Sequence, residues 1–261
     1  MKRFDPGSLD ARDPKWVAAL LPAFSMLNRT WLRLRVEGES NLPSEPALLV
    51  GNHNGGIMGP DLSCTLATLW KHYGPESPTY AMAHDFAMRV ITPLGRVVQK
   101  LGCMRADPAN ALRVFERGGR LLVYPGGDLE AYRHYRDRNR IVFGQRTGFV
   151  RVAQRSSVPI VPIVAQGAHR SAIVVHEGEW IARVLRLDRL RLNRFPIALS
   201  LPWIIGAGPW LPYLPLPFPI RLRVLPPIDA PKAIAPAAIR EEVVRVMQIA
   251  LDEMTESANA Q

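Results

Sequence analysis

Cysteine is scarce in this sequence, since only Cys64 and Cys103 occur among 261 residues. Two cysteines exclude a disulfide framework and match no paired metal-binding motif. The histidines His84, His134 and His169 lack the spacing of metal ligands, and no phosphate-loop or dinucleotide fingerprint is present. We therefore expect a reduced, cytosolic protein with no metal and no bound cofactor.

Hydrophobic targeting and membrane-spanning segments are missing as well. The polar and charged stretch at residues 1–16 predicts no secretory signal peptide. The longest uncharged run, residues 195–220, contains seven prolines, each of which removes a helical hydrogen bond or clashes with the preceding turn. Because backbone without internal hydrogen bonds is very costly in lipid, we expect this run not to cross a bilayer.

The same run is rich in large apolar side chains and is flanked by arginines. Aromatic side chains favour the boundary between lipid and water, and basic side chains near anionic headgroups each contribute about 1 kcal/mol. The pattern predicts a peripheral membrane-binding surface; the alternative is an irregular buried lid over a substrate site. The predicted membrane contacts are Trp203, Trp210, Tyr213 and Phe218.

Acidic side chains are outnumbered by basic ones, which gives a net charge of +10 and a pI near 10.2. The excess is mostly arginine, because only five lysines occur. This balance favours an anionic partner: nucleic acid, a phospholipid surface or a phosphorylated substrate. The uncharged run with its prolines and tryptophans suits a phosphate backbone poorly, so we expect no nucleic-acid partner.

Strand-like and helix-like segments alternate along the chain, which predicts one α/β domain with a mixed central sheet flanked by helices. Apolar or alternating runs predict strands within residues 31–38, 47–50, 78–83, 120–127, 158–168 and 220–228. Residues 1–30 hold an apolar stretch too short to cross a bilayer. We expect an amphipathic, membrane-proximal segment there, and the main domain at residues 31–261.

Five blocks of sequence carry a family resemblance when they are taken in order. They are GNHNGGIMGPD (51–61), LGCMRAD (101–107), RLLVYPGGDLEAYR (120–133), RTGFVRVAQRSSVPIVPIVAQGA (146–168) and the uncharged run (195–220). Their order resembles that of the glycerolipid acyltransferases, a superfamily that includes the lysophosphatidic acid acyltransferases, and is closer to the diacylglycerol-acyltransferase-like branch. The likeness spans roughly residues 31 to 228, and it implies the acyltransferase fold.

The superfamily's signature is a histidine and an aspartate separated by four residues. Here Asp61 is the first acidic residue after His53, and seven residues lie between them. The resemblance implies His53 as a general base, which an ordinary pKa near 6.5 suits, and Asp61 as the group that orients its imidazole. Gly55, Gly56 and Gly59 would let the segment fold back so that the pair meets. The alternatives are a structural histidine and a helix-capping aspartate.

The block after the fourth predicted strand is the second informative site. In the lysophosphatidic acid branch it carries Pro-Glu-Gly, and here Gly126 stands at the Glu position. Gly126 and Gly127 are expected to direct N–H groups at a carbonyl oxygen or phosphate, or else to form only a tight turn. Glu130 and Arg133 would contact the acceptor headgroup, or would form a solvated surface pair.

Arg105 matches the arginine of the superfamily's second block, which contacts a phosphate; a surface arginine is the alternative. The full set of substrate-binding residues expected from the resemblance is Asn52, Gly55, Gly56, Arg105, Pro125, Gly126, Gly127, Glu130 and Arg133.

The resemblance implies a peripheral enzyme at the cytoplasmic face of the cell membrane. It would move a fatty acyl group from acyl-CoA, a co-substrate, to a glycerolipid hydroxyl without a covalent acyl-enzyme. The absence of Glu at position 126 favours a neutral mono- or diacylglycerol-type acceptor, with lysophosphatidate as the alternative. An alternative of another class is a non-catalytic membrane- or lipid-binding protein of the same fold, which would tolerate loss of His53.

Overall fold

A mixed sheet of seven strands forms the centre of the structure, a computed structural model that describes residues 4–54, 56, 59–84, 88, 92–190, 192–208 and 214–259. The strands are β1 (Arg35–Glu37), β2 (Leu48–Gly51), β3 (Thr79–Ala83), β4 (Cys103–Arg105), β5 (Arg120–Val123), β6 (Ile160–Gln166), β7 (Ile173–His176), β8 (Ile197–Ser200), β9 (Ile204–Ala207) and β10 (Arg221–Val224). The large sheet has the order β1-β10-β6-β2-β5-β3-β4, and a smaller sheet has the order β7-β8-β9. The predicted α/β domain with a mixed central sheet is confirmed.

Five neighbouring strands of the large sheet, β6, β2, β5, β3 and β4, run parallel, and β10 pairs antiparallel with β6. The carboxyl ends of parallel strands lie at one edge of a sheet, where open α/β sheets bind their ligands. His53 follows β2, Gly126 follows β5, and Arg105 ends β4. The topology therefore brings the three sequence blocks to the same edge.

Helices cover both faces of the large sheet. The helices of the described residues are α1 (Pro14–Thr30), α2 (Pro60–Tyr73), α3 (Thr92–Lys100), α4 (Pro108–Glu116), α5 (Gly127–Ala131), α6 (Gly148–Ser156), α7 (Glu179–Val184) and α8 (Pro236–Asn259). Leu48 and Val50 of β2 pack in one cluster with side chains of α4, α6 and α8, whereas Leu49 packs on the opposite face with side chains of α1 and α2. Successive side chains of β2 thus pack alternately into two hydrophobic cores, one on each face of the sheet.

Asp-Pro pairs begin two of the helices. Asp13 precedes α1, and its carboxylate accepts the N–H of Lys15 at 3.0 Å. Asp107 precedes α4 and accepts the N–H of Ala109 at 2.9 Å in the same way. Proline at the first helical position needs no N–H partner, so each pair sets a sharp helix start.

Helix α1 packs onto the domain through its apolar side. Val17 is fully buried in the same cluster as Leu49, and the rings of Phe24 and Trp70 meet edge to face at 5.9 Å. Pro22 lies inside this continuous helix. The membrane-proximal role of residues 1–30 stays a prediction.

The strand predicted at residues 31–38 is shorter than expected, because β1 covers only Arg35–Glu37. Arg33 has a φ of +42°, a left-handed conformation that interrupts extended backbone. Just before it, Nε1 of Trp31 donates to the carbonyl oxygen of Pro215 at 2.7 Å. The alternating pattern at residues 31–38 therefore reflects the contact of Trp31 with Pro215 rather than a long strand.

None of the helices in the described part of the chain is long and apolar enough to cross a membrane. The uncharged run contributes β8 and β9 to the smaller antiparallel sheet. Both cysteines, Cys64 and Cys103, are buried and free.

Candidate active site

The loop between β2 and α2 brings His53 and Asp61 together. Nδ1 of His53 lies 2.8 Å from Oδ2 of Asp61, and the same oxygen accepts the main-chain N–H of Asn54 at 3.1 Å. The Asp61 side chain is fully buried in the first turn of α2. A bond donated from Nδ1 leaves Nε2 as the basic ring nitrogen. The two predicted partners therefore meet, while their catalytic roles stay predictions.

Glycine allows this loop to turn so tightly. A Cβ atom at Gly59 would collide with Oδ1 of Asp61 and would lie 2.5 Å from the carbonyl oxygen of Asn54. Gly56 has a φ of +81°, which glycine adopts without strain, and its N–H donates to the carbonyl of Ala131 at 3.0 Å. Gly56 therefore shapes the loop, and its N–H is already hydrogen-bonded within the protein. Gly55 lies outside the described residues.

A cavity of about 640 Å³ lies beside His53, between the large sheet and helices α4 and α6. Since residues advance about 3.3 Å each along a strand, β2 alone extends roughly 10 Å from Leu48 to Gly51, and His53 lies beyond its end. Sites of ~300–1,000 Å³ commonly bind small organic ligands. The apolar lining includes Leu48, Met82, Ala111, Leu121, Val123, Phe149 and Val152. The cavity can therefore hold a hydrocarbon chain whose reactive end lies at His53.

Glu130 and Arg133 lie behind the His53 loop, and both side chains are buried. Oε2 of Glu130 accepts the N–H of His53 at 2.9 Å, and Nη2 of Arg133 donates to Oδ1 of Asn54 at 2.7 Å. The predicted solvated surface pair is wrong, because the loop packs over both side chains. Neither is among the described residues that line the cavity, so their contact is with the loop rather than with an acceptor headgroup in the cavity.

Asn52, expected to bind substrate, instead ties the end of β2 to β6. Its Nδ2 donates to the carbonyl of Ala165 at 3.0 Å, and its Oδ1 accepts the N–H of Ala165 at 2.7 Å. Nδ2 of Asn54 donates to the same carbonyl at 2.8 Å. Because Asn52 is fully buried, its amide is committed to holding the base of the His53 loop.

The pKa values at the site reflect this packing. Burial alone would lower the pKa of His53, but the charge and hydrogen bond of Asp61 and the charge of Glu130 outweigh it, so the pKa is raised. Burial raises the pKa of Glu130 to about 7, against the opposing effects of Arg133 and of the N–H groups of His53 and Val142. A raised pKa makes His53 a stronger base, which suits proton abstraction from a hydroxyl.

The turn after β5 forms another part of the cavity wall, through Pro125 and Gly127. The N–H of Gly127 donates to the main-chain carbonyl of Tyr124 at 3.1 Å. This corrects the prediction that it faces a carbonyl oxygen or phosphate of a bound substrate. Nη1 of Arg146 donates to the carbonyls of Pro125 at 2.9 Å and Gly126 at 2.8 Å. The segment is therefore a turn braced by Arg146, while the expected contact of the Gly126 N–H with a carbonyl oxygen or phosphate stays a prediction.

Asp128 at the cavity wall neutralises that arginine. Its Oδ1 lies 3.1 Å from Nη2 of Arg146, and its Oδ2 accepts the main-chain and side-chain N–H groups of Asn193 at 2.8 and 2.9 Å. Burial raises the pKa of Asp128, but these donors outweigh it and the pKa is lowered. Asp128 therefore stays ionised and paired at neutral pH.

The other predicted site residues lie at the margins. Arg105 is half-buried beside Ala106, which lines the cavity, and its contact with a phosphate stays a prediction. Trp203 is 49% exposed and Phe218 is 37% exposed; their membrane contact also stays a prediction. The other two predicted membrane contacts, Trp210 and Tyr213, lie outside the described residues.

Two neighbours of His53, Tyr124 and Asn54, were not predicted from the sequence. The Tyr124 ring centroid lies 4.9 Å from that of His53, and Tyr124 lines the cavity. Asn54 links the loop to Arg133 and Ala165. The available signals were the position of Tyr124 directly after β5 and the asparagines on both sides of the histidine.

Comparison with known proteins gives one family and several relatives. The family model described as Acyltransferase matches residues 33–166, about half of the chain. An uncharacterized protein of Mycobacterium tuberculosis is 28% identical over 218 residues, which are 83% of this chain and 58% of that protein. A Gallus gallus protein named "DGAT1/2-independent enzyme synthesizing storage lipids" is 31% identical over 173 residues, 65% of this chain and 48% of that protein.

These curated relatives are longer proteins, and the chain spans 48% to 62% of the length of those it matches. Among solved structures, the 1-acyl-sn-glycerophosphate (LPA) acyltransferase PlsC from Thermotoga maritima superposes with a TM-score of 0.60 at 16% identity. The alignment covers 93% of this chain and 81% of that one. At this identity the likeness shows a shared fold.

Proposed function

The chain belongs to the acyltransferase family, and on that premise we propose that it transfers a fatty acyl group from acyl-CoA to a hydroxyl of a neutral mono- or diacylglycerol. The observation that carries the proposal is the imidazole of His53, oriented by Asp61 at the wall of a long apolar cavity. The base for such a reaction and the cavity for its acyl chain are therefore adjacent. The family's description names acyl transfer, and the Gallus gallus relative named for storage-lipid synthesis supports an acceptor of the glycerolipid type.

The chemistry follows from the position of His53. With Nδ1 donating to Asp61, Nε2 takes the proton of the acceptor hydroxyl while the hydroxyl oxygen bonds to the thioester carbonyl carbon. The carbon–sulfur bond then breaks, and the proton passes from Nε2 to the leaving thiolate. The products are an ester and a free thiol. Asp61 stabilises the imidazolium that exists between the two proton transfers.

Charge at the cavity supports a neutral acceptor. Of the described residues that line the cavity, Arg146 is the only arginine or lysine, and Asp128 pairs with it. A phosphate on the acceptor would need an unpaired cation or a cluster of N–H donors. The N–H of Gly127 is already used in its turn.

Exposed apolar side chains support a membrane partner at the cytoplasmic face of the cell membrane. On α7, directly after it and in the β8–β9 hairpin they include Trp180, Val184, Leu185, Leu201, Trp203, Ile204 and Ile205. The exposed arginines of the α7 region are Arg183, Arg186 and Arg189. Apolar and cationic side chains together fit an anionic bilayer.

This surface adjoins the cavity. Ala182 of α7 packs in one cluster with Tyr132 and Leu192. Tyr132 and Leu192 also line the cavity. A lipid acceptor held in the bilayer therefore has a short route to His53.

A second candidate is 1-acylglycerol-3-phosphate acylation. It is favoured by the fold shared with the Thermotoga maritima protein, whose name gives that activity, and by Arg105 beside the cavity-lining residue Ala106. A cation there is suited to an acceptor phosphate.

The test is acceptor-dependent release of free thiol from palmitoyl-CoA. Monoacylglycerol, diacylglycerol and lysophosphatidate are compared as acceptors, and palmitoyl-acyl carrier protein is compared as donor. His53→Ala is expected to lower release about 10²–10⁴-fold, the usual contribution of a general base. His72→Ala, at an exposed histidine on α2, is the matched control and should retain full activity.

Release with the neutral acceptors supports the proposal, whereas release only with lysophosphatidate selects the second candidate. If a folded protein binds liposomes but releases no thiol from either donor, the hypothesis of a non-catalytic lipid-binding protein replaces that of an enzyme.

A further inference from the structure

The main chain of His53 is held from both sides by two buried, oppositely charged residues. Its N–H donates to Oε2 of Glu130 at 2.9 Å, and its carbonyl accepts from Nη1 of Arg133 at 3.2 Å. Oε1 of Glu130 accepts the N–H of Val142 at 3.0 Å. Both carboxylate oxygens are therefore occupied by main-chain donors, one of them from the residue that carries the imidazole.

Arg133 has all its hydrogen-bonding capacity in use. A guanidinium has five N–H donors. Nε donates to the carbonyl of Asp137 at 2.9 Å, Nη1 to the carbonyls of His53 and Glu130 at 3.2 and 3.0 Å, and Nη2 to Oδ1 of Asn54 and the carbonyl of Arg138 at 2.7 and 3.0 Å. These acceptors belong to the His53 loop, to α5 and to the segment after it, so one planar group sets their separation.

Gly126 makes room for the Glu130 carboxylate. A Cβ atom at position 126 would collide with Oε2 of Glu130 and would lie 2.7 Å from the carbonyl oxygen of Val142. The backbone at Gly126 has a φ of −64°, which every L-residue adopts. Glycine is therefore required here by the close approach of Glu130 and not by its own conformation.

We propose that Glu130 and Arg133 are the positioning residues of His53. The absence of a side chain at Gly126 leaves the room that the Glu130 carboxylate needs for this role. The pair fixes the N–H and the carbonyl of His53, so that the imidazole stays aligned between Asp61 and the cavity. The proposal rests on the proposed function, and it assigns Glu130 and Arg133 to the loop instead of to the acceptor.

The two charges of the pair have opposite effects on His53, and only the charge of Glu130 strengthens it as a base. The carboxylate of Glu130 raises the pKa of His53, and the positive charge of Arg133 lowers it. Removing the charge of Glu130 should therefore weaken His53 as a base as well as loosen its loop. A residue that only supports the fold would leave the pKa of His53 unchanged when it is replaced in a protein that still folds.

Glu130→Gln tests the proposal, because it keeps the shape but gives up the charge and one acceptor. We expect kcat to fall about 10- to 100-fold, the scale of a misplacement near 1 Å, with an unchanged KM for the acceptor. The ¹H–¹³C NMR titration of the His53 imidazole should move to lower pH. Glu130→Asp, which keeps the charge, should move that titration less. Glu242→Gln on α8, in an exposed pair with Arg245, should change neither quantity.

Gly126→Ala is the independent second variant. It leaves Glu130 chemically intact but displaces its carboxylate, so the same fall in kcat is expected. Thermal melts establish that each variant is folded.

A higher acceptor KM with unchanged kcat in Glu130→Gln would place Glu130 in the acceptor site and overturn the proposal, as would an unchanged His53 titration. If the wild-type protein releases no thiol, the proposed function fails, and the His53 titration still decides whether Glu130 acts on the imidazole.

Discussion

Nδ1 of His53 lies 2.8 Å from Oδ2 of Asp61, although seven residues separate the two along the chain. The same carboxylate oxygen accepts the N–H of Asn54, so Asp61 holds the ring of His53 and the backbone beside it at once. A histidine oriented in this way has one nitrogen committed to the carboxylate and the other available as a base.

Replacing Asp61 with asparagine should reduce thiol release about 10²–10⁴-fold, because the amide cannot stabilise the imidazolium. Asparagine preserves the size of this buried side chain, so the fold should persist. The measurement is steady-state thiol release at saturating acceptor. Asp10→Asn, at an exposed aspartate paired with Arg117, is the control. A rate within twofold of wild type would remove Asp61 from the mechanism.

The pH dependence of kcat/KM should report the raised pKa of His53. Only the neutral imidazole accepts a proton, so activity should fall as the pH decreases through this pKa. Because the pKa is raised, the midpoint should lie above about 6.5, the ordinary value. Asp61→Asn should move the midpoint to lower pH, since Asp61 is one of the groups that raise it. A wild-type midpoint below the ordinary value would contradict the proposed role of Asp61.

Filling the cavity should change the choice of acyl chain. Ala111 of α4 lines the cavity and is almost fully buried. Ala111→Leu should lower kcat/KM for palmitoyl-CoA about tenfold and leave octanoyl-CoA nearly unaffected, because the added side chain occupies hydrocarbon space. Ala109→Leu, at an exposed position of the same helix, should affect neither donor. Equal losses for both donors would mean that the acyl chain lies elsewhere.

Acidic substitutions in the β8–β9 hairpin should weaken membrane binding. Ile204 is 73% exposed and Ile205 is 64% exposed. Burying one such side chain in an apolar environment contributes about 1.5–3 kcal/mol, and 1.4 kcal/mol corresponds to a tenfold change in affinity. The Ile204→Glu/Ile205→Glu protein should therefore sediment with anionic liposomes at least about tenfold more weakly.

Ile249→Glu, at an exposed position of α8, is the control for an added charge and should bind liposomes like the wild type. Equal binding by all three proteins would remove the hairpin from the proposed membrane surface.

The sequence predicted the α/β architecture from local patterns, and it predicted the meeting of His53 with Asp61 through the family resemblance. Apolar runs marked the strands, and the glycines of the His53 loop marked a segment able to fold back. The boundaries of β1 were predicted poorly, since the left-handed backbone at Arg33 leaves no mark in an alternating pattern.

The surroundings of His53 were harder to predict, because they depend on contacts between distant segments. Glu130 and Arg133 looked like surface residues in a polar stretch, yet the loop from β2 covers them. Nothing near Asn52 in sequence indicates that its amide pairs with Ala165. Burial of a charged side chain follows from the tertiary structure that covers it, so only the structure distinguished these roles.

The tie between Asn52 and Ala165 spans 113 residues, and it has a consequence for how the protein is made. A partner of the His53 loop, Ala165, emerges from the ribosome only with β6. A nascent chain that ends at α5 already carries the entire histidine motif but lacks the Ala165 main-chain groups that bind Asn52 and Asn54. The loop that carries His53 is thus completed only when the chain has grown 113 residues past Asn52.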